Sequence, residues 1–516
     1  MPKTTHAGLQ IAIDLDRDTE IPLYRQILDH LRDAILTGRL TAGSRMPSTR
    51  IFAAELNVSR NTIIQVFELL KDEGLLGSQT GAGTYVTAPD RLAEAPAAQL
   101  PALRPVPVAA GGSPFRSLSR RGKNLVASAT GAFSERPTSF MPDQPDLREF
   151  PIKTWMRILN ETSGRLTGQI LAETSSAGYE PLRQAVAQHL NAARGMNCDA
   201  AQVIVTTGTQ QSLDLVCRML LDPGDPVWLE DPGYIGAHSA IRANGGHLYP
   251  VPVDQEGIDV AHILDRYPVP RMIFCSPSCH YPWGAPMTPD RRRELVTVAN
   301  RCGSWIVEDD YDYEFNYDGE QSPSLFAINE DNRTIYMGTF SKILLPSFRL
   351  GYIVVPKDLA DSFGWARGVV DRHSSLIEQM VLSEVMHRGL FVSHIRKMKK
   401  LYRHRRDRLR DGLMRLFDHE VWDTSGKSGT NLLLPLAAGV SDTALTRDLA
   451  RKGLIARPLS PYFVSKDRST GLILGFSAFR DEEIDRGLQR MDDTMEMFLG
   501  ALRGTERPLR RSQRAI

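Results

Sequence analysis

The sequence predicts an α/β protein in two folded parts: a small N-terminal unit of short helices closed by a glycine-rich hairpin, and a large C-terminal domain on a mainly parallel sheet. From about residue 138, short apolar runs alternate with amphipathic helical stretches, the pattern of parallel strands joined by helical crossovers. Ahead of it, the stretch Ala88 to Pro114 (APDRLAEAPAAQLPALRPVPVAAGGSP) is mostly Ala, Pro and Gly and reads as a partly extended linker. Within the first 87 residues, two short capped helices stand just before a Gly-Ala-Gly turn. The length, 516 residues, fits two to four domains at roughly 150 residues each.

In the first part, Leu23, Ile27, Leu31, Ala34 and Ile35 fall at helical spacing, and this helix closes before Gly38. Pro47 and Ser48 open a second helix, with Ser48 as N-cap for Thr49 to Leu56. After the turn Asn57-Val58-Ser59 a third helix runs from Arg60 towards Glu73 and stops at Gly74. Two short helices joined by a tight turn form a helix-turn-helix, whose second helix can place Arg60, Asn61 and Thr62 in a DNA major groove. Leu75 to Ser78 and Thr84 to Val86 read as two strands around Gln79 to Gly83, where Gly81 and Gly83 let a wing approach a phosphate backbone.

Charge refines this reading. Lys+Arg 62 against Asp+Glu 61 gives a net charge of +1, which excludes a uniformly basic nucleic-acid coat and demands a local patch. Residues 25 to 60 supply one: six arginines (25, 32, 39, 45, 50, 60) against Asp29, Asp33 and Glu55. Arg45, Arg50 and Arg60 with Ser48 and Ser59 are therefore candidate DNA contacts; solvated surface arginines are the alternative.

The whole chain is 42% hydrophobic and 24% charged, with no apolar run near the ~20 residues that span a bilayer. Its start, MPKTTHAGLQ, lacks the apolar core of a signal peptide, so no membrane contact and a cytoplasmic location are expected. Five cysteines (198, 217, 275, 279, 302), odd in number and outside CxxC pairs, read as buried thiols and not as a zinc or other metal site.

In the large part, Gln202 to Thr206 is a buried-strand run ending in Thr207-Gly208-Thr209-Gln210-Gln211 before a helix from Ser212 to Leu221. Free N–H groups at such a junction suit an anion such as phosphate. A strand from Val227 to Leu229 leads to Glu230-Asp231-Pro232-Gly233-Tyr234, a rigid turn that presents Tyr234 for stacking or for core filling. The strand Trp305 to Val307 is followed at once by Glu308, Asp309, Asp310, Tyr311 and Asp312, carboxylates gathered where a fixed negative charge is useful. The apolar strand Ile335-Tyr336-Met337 leads into Gly338-Thr339-Phe340-Ser341-Lys342, which places the lysine thirty-three residues after Asp309, and then Arg349-Leu350-Gly351-Tyr352 follows. A partly desolvated lysine there is a candidate amine nucleophile. A phosphate-cradling helix start, a stacking tyrosine, a carboxylate and a lysine are together what pyridoxal 5′-phosphate requires.

The segment PLYRQILDHLRDAILTGRLTAGSRMPSTRIFAAELNVSRNTIIQVFELLKDEGLL, with GAGTYV after it, resembles a GntR-type winged helix-turn-helix over nearly its whole length. The ordered motifs PLRQAVAQHL, TTGTQQSLDL, EDPGY, SPSCHYPWG, EDDYDYEF and GTFSKILLPSFRLGY resemble fold-type I aminotransferases. The combination resembles the MocR family of transcriptional regulators. It implies a winged helix over 18–87, a linker over 88–137, a cofactor-binding effector domain over 138–502 and a basic, disordered tail over 503–516. By the same resemblance Lys342 would carry the Schiff base, Asp309 would pair with the pyridine nitrogen and Tyr234 would stack on the ring. Gly208, Thr209, Gln210, Ser341 and Arg349 would hold the phosphate, and Tyr311 would contact the phenolic oxygen. The implied partners are double-stranded DNA with two half-sites, a second copy of the chain in a homodimer, and a small amine or amino-acid effector.

Three departures from that pattern stand out. Cys279-His280-Tyr281-Pro282-Trp283-Gly284 replaces an Asn-Pro-(Thr/Asn)-Gly-like sequence, so His280 either shapes effector choice or is neutral. Tyr311 follows Asp309 by two positions, leaving Asp310 with Tyr313 as an alternative register. Leu472 to Phe476 supplies no arginine for a substrate carboxylate, and Arg457 is the substitute, with Arg480 behind it. These features imply a pyridoxal-phosphate-dependent regulator that senses an amine, an amino acid or the cofactor itself. A working aminotransferase carrying a DNA-binding domain is the alternative.

Overall fold

The computed structural model describes residues 21–79, 83–87, 139–171, 175–317, 322–417, 427–437, 439–466 and 468–502, with a few single positions before 21 and between 118 and 123. It divides into two compact units, Met1–Gly112 and Ser113–Ile516. Most of the expected linker, the expected tail and Gly81 lie outside the described residues.

The N-terminal unit holds α1 (Leu23–Leu36), α2 (Thr49–Glu55) and α3 (Arg60–Asp72), followed by β1 (Leu76–Gln79) and β2 (Gly83–Val86). Hydroxyl caps start the second and third helices: Ser48 Oγ accepts from the Ile51 amide and Ser59 Oγ from the Thr62 amide. Gly74, at φ +72°, ends the run of α3. Ile27, Leu31, Ile63, Val66 and Leu70 are fully buried in one core, because the helical period puts each of them on an inward face. Strands β1 and β2 pair antiparallel from Leu76 opposite Val86 to Gln79 opposite Gly83, which makes the wing.

The larger unit is built on an eight-stranded sheet. Its strands are β3 (Val203–Thr206), β4 (Pro226–Asp231), β5 (His247–Asp254), β6 (Gly257–Ile258), β7 (Met272–Cys275), β8 (Trp305–Asp309), β9 (Thr334–Thr339) and β10 (Gly351–Val354), in the order β3-β10-β9-β8-β7-β4-β5-β6. The central run β9-β8-β7-β4-β5 is parallel, as expected; β10 is antiparallel to both β9 and β3, and β6 to β5. Because β3 and β9 are both antiparallel to β10, they point the same way. The carboxyl ends of β3, β4, β7, β8 and β9 therefore open on one edge, where an α/β sheet ordinarily binds its ligand.

A second sheet, β11 (Asn431–Pro435), β13 (Gly471–Gly475) and β12 (Arg457–Pro458) in that order, is antiparallel throughout. The segment at Ser139–Asp143 runs along it: the Gly475 amide donates to Phe140 O at 2.9 Å and the Ile455 amide to Ser139 O at 3.1 Å. Gly475 admits this approach because a Cβ there would stand 2.2 Å from Met141 O. Four of the five cysteines are buried, as expected; Cys302, at the end of the helix Pro289–Cys302, is only half-buried.

Candidate functional site

Loops from the common sheet edge carry the expected residues. After β3, Gly208 at φ +119° caps α4 (Thr209–Leu220), so the helix begins three residues earlier than the sequence suggests. The local reason is that Gly208 adopts a backbone conformation that L side chains rarely reach, which turns the chain at once from strand to helix. Thr209 and Gln210 thus stand in the first helical turn, where amide N–H groups have no intrahelical partner. A Cβ built on Gly208 would meet no atom within 4 Å, so the space in front of this helix start is open. Gly351, at the head of β10, packs so close that its own Cβ would lie 2.9 Å from Gly208 Cα, and this brings Arg349, two residues upstream, to the same edge. Arg349 is exposed, at φ +50°, and Ser341 is half-buried, with its amide donating to Thr339 Oγ1 at 3.2 Å.

Strand β8 continues through Asp309, two residues beyond its expected end. Side chains alternate along a strand, so Glu308 and Asp310 face one side and Asp309 the other. On the first side, Arg194 lies 2.8 Å from Asp310 Oδ2, and Tyr336 donates to that carboxylate at 2.8 Å. Glu308 accepts from the Leu325 and Phe326 amides, each at 3.0 Å. Tyr313, the other member of the alternative register, has its hydroxyl on His189 Nε2 at 2.6 Å. Asp310 and Tyr313 are therefore tied into the interior.

Asp309 differs. It is 3% exposed and its Oδ1 has no hydrogen-bond partner, while burial pushes its carboxyl up to about 7 against the opposing charge of Lys342. A buried acceptor left without a donor costs free energy unless something completes it, and the protonated nitrogen of a pyridine ring is such a donor. Together with the open helix start and the lysine, this orphaned oxygen fits pyridoxal phosphate.

Lys342 Nζ lies 3.8 Å from the centre of the Tyr311 ring and 5.5 Å from that of Tyr281. Burial works against its charge, but Asp143 and Asp312 outweigh it and hold the amine above the usual lysine range. Tyr234 caps the helix Ile235–Ala243 and meets Tyr281 edge-on, with centroids 6.0 Å apart. Burial pushes its hydroxyl up to about 12, so it stays protonated at neutral pH. The Tyr311 hydroxyl donates to Cys279 Sγ at 3.4 Å.

The two expected effector contacts part company. Arg457, on β12, pairs with Ile473 of β13. Ile473 turns its side chain into a cluster with Tyr281 and Tyr311. The final strand thus brings an apolar side chain to the site, and its neighbour brings the cation. Arg457 donates to Asp143 and, at 3.3 Å, to Tyr281 Oη. His280 is not brought into this group. It is 2% exposed, its Nε2 faces Pro232 O at 2.9 Å, and burial lowers its pKa to about 4. Its ring is bonded to backbone on the Nε2 side, while Nδ1 is buried without a hydrogen-bond partner.

Asp143, which carries no signal in the sequence, joins the cluster. Its Oδ1 accepts from Lys342 Nζ at 3.2 Å and Asn431 Nδ2 at 2.9 Å, and its Oδ2 from Tyr281 Oη at 2.9 Å and from Arg457.

In the N-terminal unit Arg45, Arg50, Arg60 and Asn61 are exposed. Arg60 Nε donates weakly to Thr49 Oγ1 at 3.4 Å, and Arg45 lies along Gly83 of the wing. Ser48 and Ser59 use their hydroxyls as caps.

Residues 143–491 match the aminotransferase class I and II family, and residues 23–86 match bacterial regulatory proteins of the gntR family. The chain is 35% identical to the probable rhizopine catabolism regulatory protein MocR of Rhizobium meliloti, across 92% of this chain and 94% of that one. It is 28% identical to the pyridoxine biosynthesis transcriptional regulator PdxR of Corynebacterium glutamicum, across 95% and 99%. Among solved structures, kynurenine aminotransferase of Pyrococcus horikoshii covers 75% of this chain and 99% of its own length at a TM-score of 0.67 and 26% identity.

Proposed function

This chain belongs to the MocR family, DNA-binding transcription regulators of the GntR type that carry an aminotransferase-like domain, and from that premise we propose that its large domain holds pyridoxal phosphate on Lys342 and reports a small primary amine to the winged helix. The observation that carries this is the placement of Lys342 and Asp309 at one sheet edge: an amine and a buried carboxylate with an orphaned oxygen, within electrostatic reach of each other. When bound, the cofactor supplies an aldehyde carbon that links reversibly to a primary amine.

The protein's part is to bind and orient. The amides of Gly208, Thr209 and Gln210 at the start of α4, with Ser341 and Arg349, take the phosphate. Tyr234 would cover the ring, Asp309 would hold the proton on its nitrogen, and Tyr311 would contact the phenolic oxygen. Lys342 would hold the cofactor, and an incoming effector amine would compete with its Nζ for that position. Displacement shifts the population between two poses of the large domain, and the winged helix changes its hold on DNA accordingly. In a homodimer, two winged helices address two half-sites through Arg45, Arg50, Arg60, Asn61, Thr62 and the wing at Gly83.

Pyridoxal phosphate added to the full-length protein should produce an absorbance band that Lys342→Ala lacks. An effector amine should then shift that band and change operator affinity by about fivefold or more. Rapid accumulation of a keto acid from that amine would replace this reading by an enzymatic one. Operator binding that answers the cofactor but no amine would replace it by a cofactor sensor.

A further inference from the structure

We propose, resting on the amine-sensing reading above, that Asp143 is a specificity-determining residue: its carboxylate holds the anion position between Lys342 and Arg457, so the effector is a primary amine with no α-carboxylate and with a nearby hydrogen-bond donor, as in an amino alcohol or a diamine.

The geometry leaves little room for another anion. Asp143 accepts four hydrogen bonds, from Lys342, Asn431, Tyr281 and Arg457, which fills the ordinary capacity of a carboxylate. Its backbone is held as well: its amide donates to Asn431 Oδ1 at 3.0 Å, and residues 139 and 140 are bonded to the second sheet. Its φ of +63° is uncommon for a residue with a side chain, so surrounding contacts over-determine the position. Although burial opposes ionisation, Lys342 and Arg457 keep the group well below the usual carboxylate range, so it is charged at neutral pH.

An α-amino acid that places its nitrogen where Lys342 Nζ stands carries its own carboxylate two bonds away. That carboxylate needs a cation. The side chain suited to supply it, Arg457, is already engaged by Asp143, and two carboxylates sharing one desolvated site repel each other unless one takes up a proton. A hydroxyl or second ammonium in the same place meets an acceptor. Once an effector displaces Lys342, Asp143 also loses one of its four donors, and the incoming group can replace it.

The test uses the full chain loaded with pyridoxal phosphate. Ethanolamine and 1,3-diaminopropane are compared with L-alanine and L-glutamate by the concentration that half-shifts the cofactor band and by the rise in melting temperature. The unmodified protein should respond to the carboxylate-free amines at concentrations at least about tenfold lower. Asp143→Gly, which suits the positive φ, frees Arg457 and should narrow or invert that ratio by about tenfold. Asp143→Asn keeps the volume while removing the charge, and should move the ratio in the same direction should the glycine variant fold poorly. An unchanged ratio in the variants, or a native preference for the α-amino acids, overturns the proposal and leaves the amine-sensing reading standing. If neither class moves the band, both fall.

Discussion

Lys342 Nζ lies 3.2 Å from Asp143 Oδ1, although 199 positions separate the two residues in the chain. One comes from the loop after β9 and the other from the segment beside the small sheet, so their meeting ties the two sheets of the large unit together at the candidate site.

Lys342→Ala should abolish the cofactor's absorbance band while leaving operator affinity without effector within about twofold, because the winged helix forms a separate compact unit with its own core. Effector control of a reporter should vanish. A variant that still answered the effector would show that sensing bypasses this amine.

Asp309→Asn should weaken cofactor binding by about 1.5–3 kcal/mol, the range for a hydrogen bond to a charged group. It should also alter the pH dependence of the cofactor-free protein. The Asp309 carboxyl is raised from 3.8 to about 7 in the folded chain, so between those values the folded state holds a proton that the unfolded state releases. This contribution is full below about pH 4 and is lost as pH rises through about 7. The melting temperature of the native protein should therefore fall more steeply over that interval than that of the permanently neutral Asn variant. Parallel curves would count against the assignment.

Arg60→Ala should cost about 1–3 kcal/mol in operator binding at fixed salt, the range for one bidentate base contact, with no change in the cofactor band. Ser59→Ala, its neighbour, should instead cost about 1 kcal/mol of domain stability, because the Ser59 hydroxyl caps α3. Gel shifts and thermal melts of the two variants separate the roles. Intact operator affinity in Arg60→Ala would place the docking face elsewhere.

Arg194→Met should destabilise the large unit by about 3–5 kcal/mol in urea unfolding, because it strands the buried carboxylate of Asp310 that Arg194 holds at 2.8 Å. Both side chains are at most 1% exposed, so water cannot take over the lost contact. A loss below about 1 kcal/mol would show that the Tyr336 hydroxyl, at 2.8 Å, holds Asp310 without help from Arg194.

What the sequence determined by itself is what depends on near neighbours. Caps at Ser48 and Ser59, the helical stripe of Ile27 and Leu31, the wing strands and the alternation of strands with helices all rest on interactions within a few residues, which periodicity and residue type report directly. Ordered motifs likewise brought Asp309, Tyr234 and Lys342 to attention, because each stands at or just after the end of a strand that opens on the same sheet edge. Even there, the ends of α4 and β8 moved by a few residues, since Gly208 starts its helix at once and the neighbouring strand β9 carries pairing through Asp309. Tertiary structure alone decided the rest. His280 was turned onto the carbonyl of Pro232, Asp310 was claimed by Arg194, and Asp143 was set between Lys342 and Arg457, its partners 199 and 314 positions away. Asp143 lies in an irregular segment with no period to read, and its role exists only because the two sheets pack so that this carboxylate, beside Arg457 of the small sheet, meets Lys342 from the large one.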